Sequence, residues 1–518
     1  MQEIHKLLLS EQSKLLMLYY KELQKNLKKY YSFSQNKISK DSKDSKKYIN
    51  FQKYIFNKLD SLYKLITKDL CLDTNIDLSK FRKFYYSQTD EYKSYVNKIY
   101  HSHFNNNKYI THETKNYIKN GEQNRENCLL IYTIPYKQST INFHFFIYNN
   151  VGISQKNMSY YDSKVLHMTI LINLITLLTE NNNIFETMAN KICSKDGLNV
   201  YLFLTPFERK LENFDKKVNQ NNENNQGKII LGAKHCNGGF CYGCVNAGEI
   251  IIYRFEEWFK VFCHECAHNF GLDNYIWKFI EEVKRGNNDS NKLYHDFLNN
   301  FNLSNNINNT NFDIGLQECI VEFWGEFFNN VIFSYNYSKT CILSKSSNSS
   351  KLFKIYLSTF EKIANYGLFH GLLQTSKILE ANSLTFERLM KINQEINQEI
   401  NKEINQENNK EINKENNYRE QSHLFSYYIL KTLIIYDYKN YIISPFSLNQ
   451  NNKIIFNYAN KIENMQLFFS NIINNANNNE FIKIIKLVED LYEFLREYKN
   501  CNKLNFIVSN LRMSILEF

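Results

Sequence analysis

The chain has 518 residues, 43% of them hydrophobic and 15% aromatic. That is enough for two or three structural units with sizeable cores, and it excludes a wholly disordered protein. The net charge of +10 is unevenly spread, since residues 1–120 carry 23 Lys+Arg against 12 Asp+Glu and the remainder is close to neutral. A basic segment of this kind reads first as a solvated helical face and second as a weak contact for nucleic acid or an anionic membrane surface.

The N-terminal residues show no signal-peptide pattern, because Glu3, Lys6, Glu11 and Lys14 interrupt the apolar stretches. The longest apolar run, Val165 to Leu178, is broken by His167 and Asn173 and is too short for a bilayer, so no membrane span is expected. Eleven cysteines, an odd number in a long chain, read as free thiols of a soluble intracellular protein.

In chain order, residues 1–125 form the basic N-terminal region and read as helices, with Leu7, Leu8, Leu15, Leu16, Tyr19 and Leu23 at helical spacing and a polar linker from Gln35 to Lys47. The segment 126–518 reads as one further domain. It opens with two β-branched and aromatic runs, Cys128 to Tyr136 and Ile141 to Tyr148, around a Lys137-Gln138-Ser139 turn, which predicts a hairpin. A buried helix from Ser163 to Thr179 and a strand from Leu198 to Leu204 follow. After a polar loop and Lys228 to Leu231 comes a Gly/Cys-rich loop, Cys236 to Gly243, then a strand from Glu249 to Arg254. A strongly apolar helix should run from near Phe255 to Gly271, and a second from Leu316 to Phe328. Residues 351–390 and 418–515 read as mostly helical. Between them lies a low-complexity insertion, 391–417, whose four-residue Ile-Asn-Gln-Glu period drifts around a 3.6-residue helix and holds no constant core face.

The first apolar helix contains His264-Glu265-Cys266-Ala267-His268. Two His at i and i+4 lie one above the other on a helix, so both imidazoles reach one metal ion, and Glu265 is rotated about 100° away, where it can serve a water without ligating. Zinc is the expected ion: it polarises a carbonyl and lowers the pKa of a coordinated water to about 7, and Glu265 would take the proton and pass it to the leaving amine. Two His and a Glu in so apolar a helix would be costly to bury without such a partner.

A third protein ligand is required if one zinc position is to stay open. Asn274 stands where a metzincin would carry its ligand, which excludes that class, and Asp273 lies past the helix-ending Gly271. The second apolar helix offers Glu318, Glu322 and Glu326, spaced by four as one carboxylate ridge. This pair of helices resembles the gluzincins, whose second motif is often Glu-x-x-Ala-Asp; Glu322-Phe323-Trp324-Gly325-Glu326 is similar, with Gly for Ala and Glu for Asp. The resemblance implies Glu322 as ligand and Glu326 as the carboxylate behind a ligand His, with Glu318 as ligand and Glu322 as its orienter the alternative. The stretches Ile251 to Asp273 and Phe425 to Lys431 are also similar to zincin-like proteins of large nucleocytoplasmic DNA viruses. By that likeness the compartment would be a host cytoplasm or a virion.

The expected architecture is α+β and mostly helical: a zincin-like core with a small mixed sheet and the His-motif helix, then a helical C-terminal half. The expected function is zinc-dependent hydrolysis of a peptide or protein substrate. The alternative is an inactive zincin fold serving as a binding or structural module, with the basic region contacting nucleic acid. Candidate oxyanion donors are His370, Tyr427 and Tyr428. Cys236, Cys241 and Cys244 read as small buried thiols rather than a second zinc site, for want of a fourth ligand. Peptide deformylases pair the same His motif with a Cys ligand, but their Gly-rich substrate motif is absent.

Overall fold

In the computed structural model, the described residues are 10–27, 43–71, 76–120, 127–148, 155–180, 193–211, 231–301, 303, 314–341, 349–390, 418, 420, 422–443, 446–448, 454–456, 462–497 and 502–517. The insertion 391–417, the tip of the 1–125 region and residues 228–230 lie outside them.

The centre is a six-stranded mixed sheet: β1 (Arg82–Tyr86), β2 (Cys128–Tyr136), β3 (Ser139–Ile147), β4 (Gly197–Phe203), β5 (Gly239–Cys241) and β6 (Ala247–Ile252), in the order β1-β2-β3-β4-β6-β5. The predicted hairpin is β2–β3, paired antiparallel from Cys128↔Ile147 to Tyr136↔Ser139, with Lys137 at φ 52 in the turn. β3, β4 and β6 are parallel neighbours, and β5 closes the sheet as an antiparallel edge on β6.

Alternation places the side chains of each strand on two faces. Ile141, Phe143, Phe145, Leu198, Val200, Leu202, Ile250 and Ile252 face the larger core. Phe146, Tyr201, Phe203, Ile251 and Tyr253 face a smaller one, filled from helices α3 (Asp90–His103) and α4 (His112–Asn120) by Tyr92, Val96, Ile99 and Ile118. The sheet is therefore covered on both sides, which is why its central strands read as nearly continuous apolar runs.

The larger core holds helices α1 (Glu11–Leu27), α2 (Lys43–Asp69), α5 (Gln155–Glu180), α6 (Trp258–Asn269), α7 (Asn274–Lys284), α8 (Leu316–Thr340) and α9 (Ser349–Ala381), with a π-helical turn, Phe425–Leu430, running into α10 (Lys431–Tyr436). The mostly helical α+β architecture with a small mixed sheet is thus present. The N-terminal region departs from the all-helix expectation at β1, which pairs with β2, and its Leu16, Tyr20, Phe51 and Ile55 join the same core as Trp258 and Trp324.

Two further expectations are corrected. Helix α5 is longer than its apolar run suggested, and Met158–Thr179 is long and apolar enough to cross a membrane; 78% of its apolar window is buried inside the protein, as in a core helix. The thiols are not all free, for Cys193 and Cys244 form a disulfide that ties the turn between β5 and β6 to the segment before β4. A reducing compartment therefore no longer follows from the cysteines.

Candidate metal centre

Helix α6 forms because residues 258–269 are apolar and free of helix breakers, and it stops where Gly271 adopts φ +71, close to the predicted end. Its start is more costly. Glu257, just before the helix, has a left-handed φ of 57, a conformation that a non-glycine residue keeps only when its surroundings over-determine it. Those surroundings are Arg209, whose Nη1 donates to Glu257 Oε2 at 2.9 Å, and the backbone N–H groups of Met513 and Ser514, which donate to the same carboxylate at 3.0 and 2.6 Å. Residues 511–516 of this C-terminal strap are buried against the back of the site.

His264 and His268 sit one turn apart on α6, with ring centroids 5.0 Å from each other. Facing them is α8, which is buried almost all round as its composition demanded. The two helices approach very closely at Gly325, where an added Cβ would lie 3.0 Å from both Cα and Cβ of His264 and 3.1 Å from its backbone nitrogen. Gly325→Val is accordingly expected to push the helices apart, at a cost of about 1–3 kcal/mol of overpacking. A thermal melt should show the loss of stability.

Both Nε2 atoms converge on one oxygen: His264 Nε2 is 3.3 Å and His268 Nε2 is 3.4 Å from Glu318 Oε2. Ligand atoms of His264, His268 and Glu318 all lie within 4.8 Å of one another, and among the described residues this is the one such group able to hold a metal ion. Each Nδ1 points the other way, to its own carboxylate: His264 Nδ1–H donates to Glu322 Oε2 at 2.9 Å, and His268 Nδ1–H to Asp273 Oδ2 at 2.6 Å. Trp277 Nε1–H donates to that same Asp273 oxygen at 2.8 Å.

The structure therefore brings Glu318, not Glu322, to the shared point. The reason is the register of the two helices, whose contacts run in opposite order, Lys260 with Glu322 and His268 with Glu318. Glu322 lies level with the outer side of the His264 ring, where the buried Lys260 ammonium engages its other oxygen. Glu326 reaches no histidine and pairs with Lys431 at 3.1 Å. Asp273, set aside as a ligand, is the partner of His268.

Electrostatics follow from these contacts. Burial opposes the charge on Glu318, but His268 and His264 outweigh it and hold its carboxyl well below the usual range. Burial likewise works against Glu322, which Lys260 and His264 keep ionised. His268 is held well above an ordinary imidazole, because Asp273 and Glu318 overcome the effect of burial. Glu265 behaves differently: burial pushes its carboxyl up, only partly offset by His264 and His268.

Glu265 reaches the floor of a cleft of about 1060 Å³ together with His264, His268, Glu318 and Tyr427. One wall is β5, and it comes close because Gly239 has no side chain; a Cβ there would stand 2.8 Å from Val261 Cγ1 and 3.2 Å from Glu265 Oε1. Of the three oxyanion candidates, Tyr427 is the one in the cleft. It is carried on the π-helical turn, a deviation that often marks functional sites, and its hydroxyl donates to Glu318 Oε2 at 2.8 Å. His370 and Tyr428 instead bind the C-terminal strap, through the carbonyls of Arg512 and Leu511.

Comparison of the chain with family models, curated proteins and solved structures finds no match. The site must be read from its own geometry. Two imidazoles and a carboxylate, each imidazole backed by a further carboxylate, are a donor set of the kind that fits a zinc ion.

Sequence reasoning missed Lys260, Lys431 and the role of Asp273. A signal for the first existed: a lysine four residues before His264, in a helix this apolar, is almost never buried without a carboxylate partner.

Proposed function

We propose that the protein is a zinc-dependent peptidase in which His264, His268 and Glu318 hold the metal and Glu265 is the general base. The observation that carries this reading is the placement of all four groups at the floor of one open cleft, with the two Nε2 atoms and Glu318 aimed at a single point. Zinc held there would act as a Lewis acid on the scissile carbonyl and acidify a water. Glu322 and Asp273 fix each imidazole in the tautomer that presents Nε2 to that point. Glu265 is placed to accept the water's proton and to return it to the leaving amine. Tyr427 places a phenolic O–H beside the same point and would donate to the oxyanion as it forms. Strand β5 pairs with β6 along one edge only, so its other edge can hydrogen-bond an extended peptide across the cleft. An open cleft supports the enzymatic reading over that of an inactive module sealed by side chains.

The roles of the two glutamates separate by elemental analysis. Glu318→Ala should lose tightly bound zinc altogether. Glu322→Ala should still bind it, with affinity reduced about 10- to 100-fold through the disoriented His264. The opposite pattern would exchange their roles, and wild-type protein that binds no zinc would end the proposal.

A further inference from the structure

Large exposed apolar side chains are few among the described residues, and three of them, Tyr109 (53% exposed), Tyr242 (52%) and Trp277 (42%), line this one cleft. They come from three separate elements: the loop between α3 and α4, the turn after β5, and α7. The polar tips of two are already engaged. Trp277 Nε1–H is held by Asp273, and the Tyr242 hydroxyl lies 2.9 Å from His103 Nδ1. What Trp277 and Tyr242 offer to the cleft is therefore ring surface in a fixed orientation, which a ligand can bury at little entropic cost.

Two cations also line the cleft. Lys108 precedes Tyr109 in sequence with its ammonium 5.2 Å from the Tyr109 ring, and Lys284 lies seven residues after Trp277, on the same face of α7. Both lysines line the cleft, whereas the carboxylates Glu265, Glu318 and Asp273 lie at its floor. The remaining acid of the lining, Glu420, is engaged by the Tyr418 hydroxyl and the Phe425 backbone N–H, each at 2.8 Å.

We propose that the cleft selects an extended polypeptide segment that carries aromatic or large apolar side chains with acidic residues beside them. The inference rests on the peptidase reading for the placement of the scissile bond. Edge β5 supplies the backbone pairing, Tyr109, Tyr242 and Trp277 receive the apolar side chains, and Lys108 and Lys284 receive the carboxylates. Single-stranded nucleic acid also stacks on aromatic rings, but its backbone carries no amide groups to pair with edge β5.

The test uses full-length, zinc-loaded Glu265→Gln protein, so that peptides bind without turnover. The reporter is Trp277 fluorescence, since Trp258 and Trp324 are 2% and 0% exposed and contribute a constant signal. Blocked short peptides with a central Phe-Asp pair should bind more tightly than the same peptides with Ala for Phe, by about 2- to 12-fold per ring. Tyr242→Ala and Tyr109→Ala should each erase part of that preference, and Lys284→Ala should erase the preference for Asp over Asn. Equal affinity for all peptides, a preference that survives both tyrosine substitutions, or tighter binding of a single-stranded oligonucleotide would overturn the proposal. A preference in binding with no cleavage by wild type supports this substrate class and overturns the peptidase reading. Cleavage of Phe and Ala peptides at equal rates does the reverse.

Discussion

Glu265→Gln is expected to keep the fold and the zinc of the wild type while losing about 10²- to 10⁴-fold in kcat, the range general-base catalysis supplies. An amide of the same shape fills the same space beside Gly239 but cannot accept a proton. Because Glu265 is not among the converging ligand atoms, zinc content should stay at the wild-type level, which separates this variant from His264→Ala, where metal and activity fall together. The measurement is cleavage of a peptide library at matched zinc occupancy. Equal residual activity in wild type and variant would mean that the background, and not this carboxylate, cleaves the peptides.

The second large effect is expected behind the metal point. Lys260 and Glu322 form a fully buried ion pair, and the free oxygen of Glu322 holds His264 Nδ1–H. Lys431 stands 3.7 Å from the same glutamate and donates to the Met513 carbonyl at 2.6 Å. Lys260→Met removes one charge of the pair and leaves the other buried, a loss of about 3–5 kcal/mol in stability. If Lys260 also positions His264 through Glu322, zinc affinity should fall about 10- to 100-fold. A double-mutant cycle with Glu322→Gln distinguishes the two roles. Positioning predicts that the combined variant binds zinc no more weakly than Glu322→Gln alone, because Lys260 then has no carboxylate to act through. A merely structural lysine would lower the melting temperature and leave the zinc Kd of Lys260→Met at the wild-type value.

The elements that chemistry depends on were legible because they are written in local pattern. Runs of β-branched and aromatic residues announced β2 and β3, the i, i+4 histidines named their own helix face, and Gly271 marked where that helix would end. The four-residue spacing of Glu318, Glu322 and Glu326 told that one face of α8 meets the histidines, but not which carboxylate, since that depends on how far one helix slides along another. Here the slide is set by Gly325 against His264 and by Lys260 against Glu322, contacts between residues some sixty positions apart. The disulfide was hidden for a similar reason. Cys193 and Cys244 are 51 residues apart in sequence, and only the parallel pairing of β4 with β6 brings their neighbourhoods together.

The C-terminal strap has a consequence for the order of events during synthesis. Helix α6 is complete in the nascent chain long before residues 511–516 exist, yet Glu257, the strained residue just before it, and Lys431 behind Glu322 take partners from that late segment. A ribosome-bound chain that ends before Met513 has His264, His268 and Glu318 but not the backbone groups that hold Glu257 and Lys431 behind them. The contacts that steady the residues behind His264 are thereby deferred until residues 511–516 have been made.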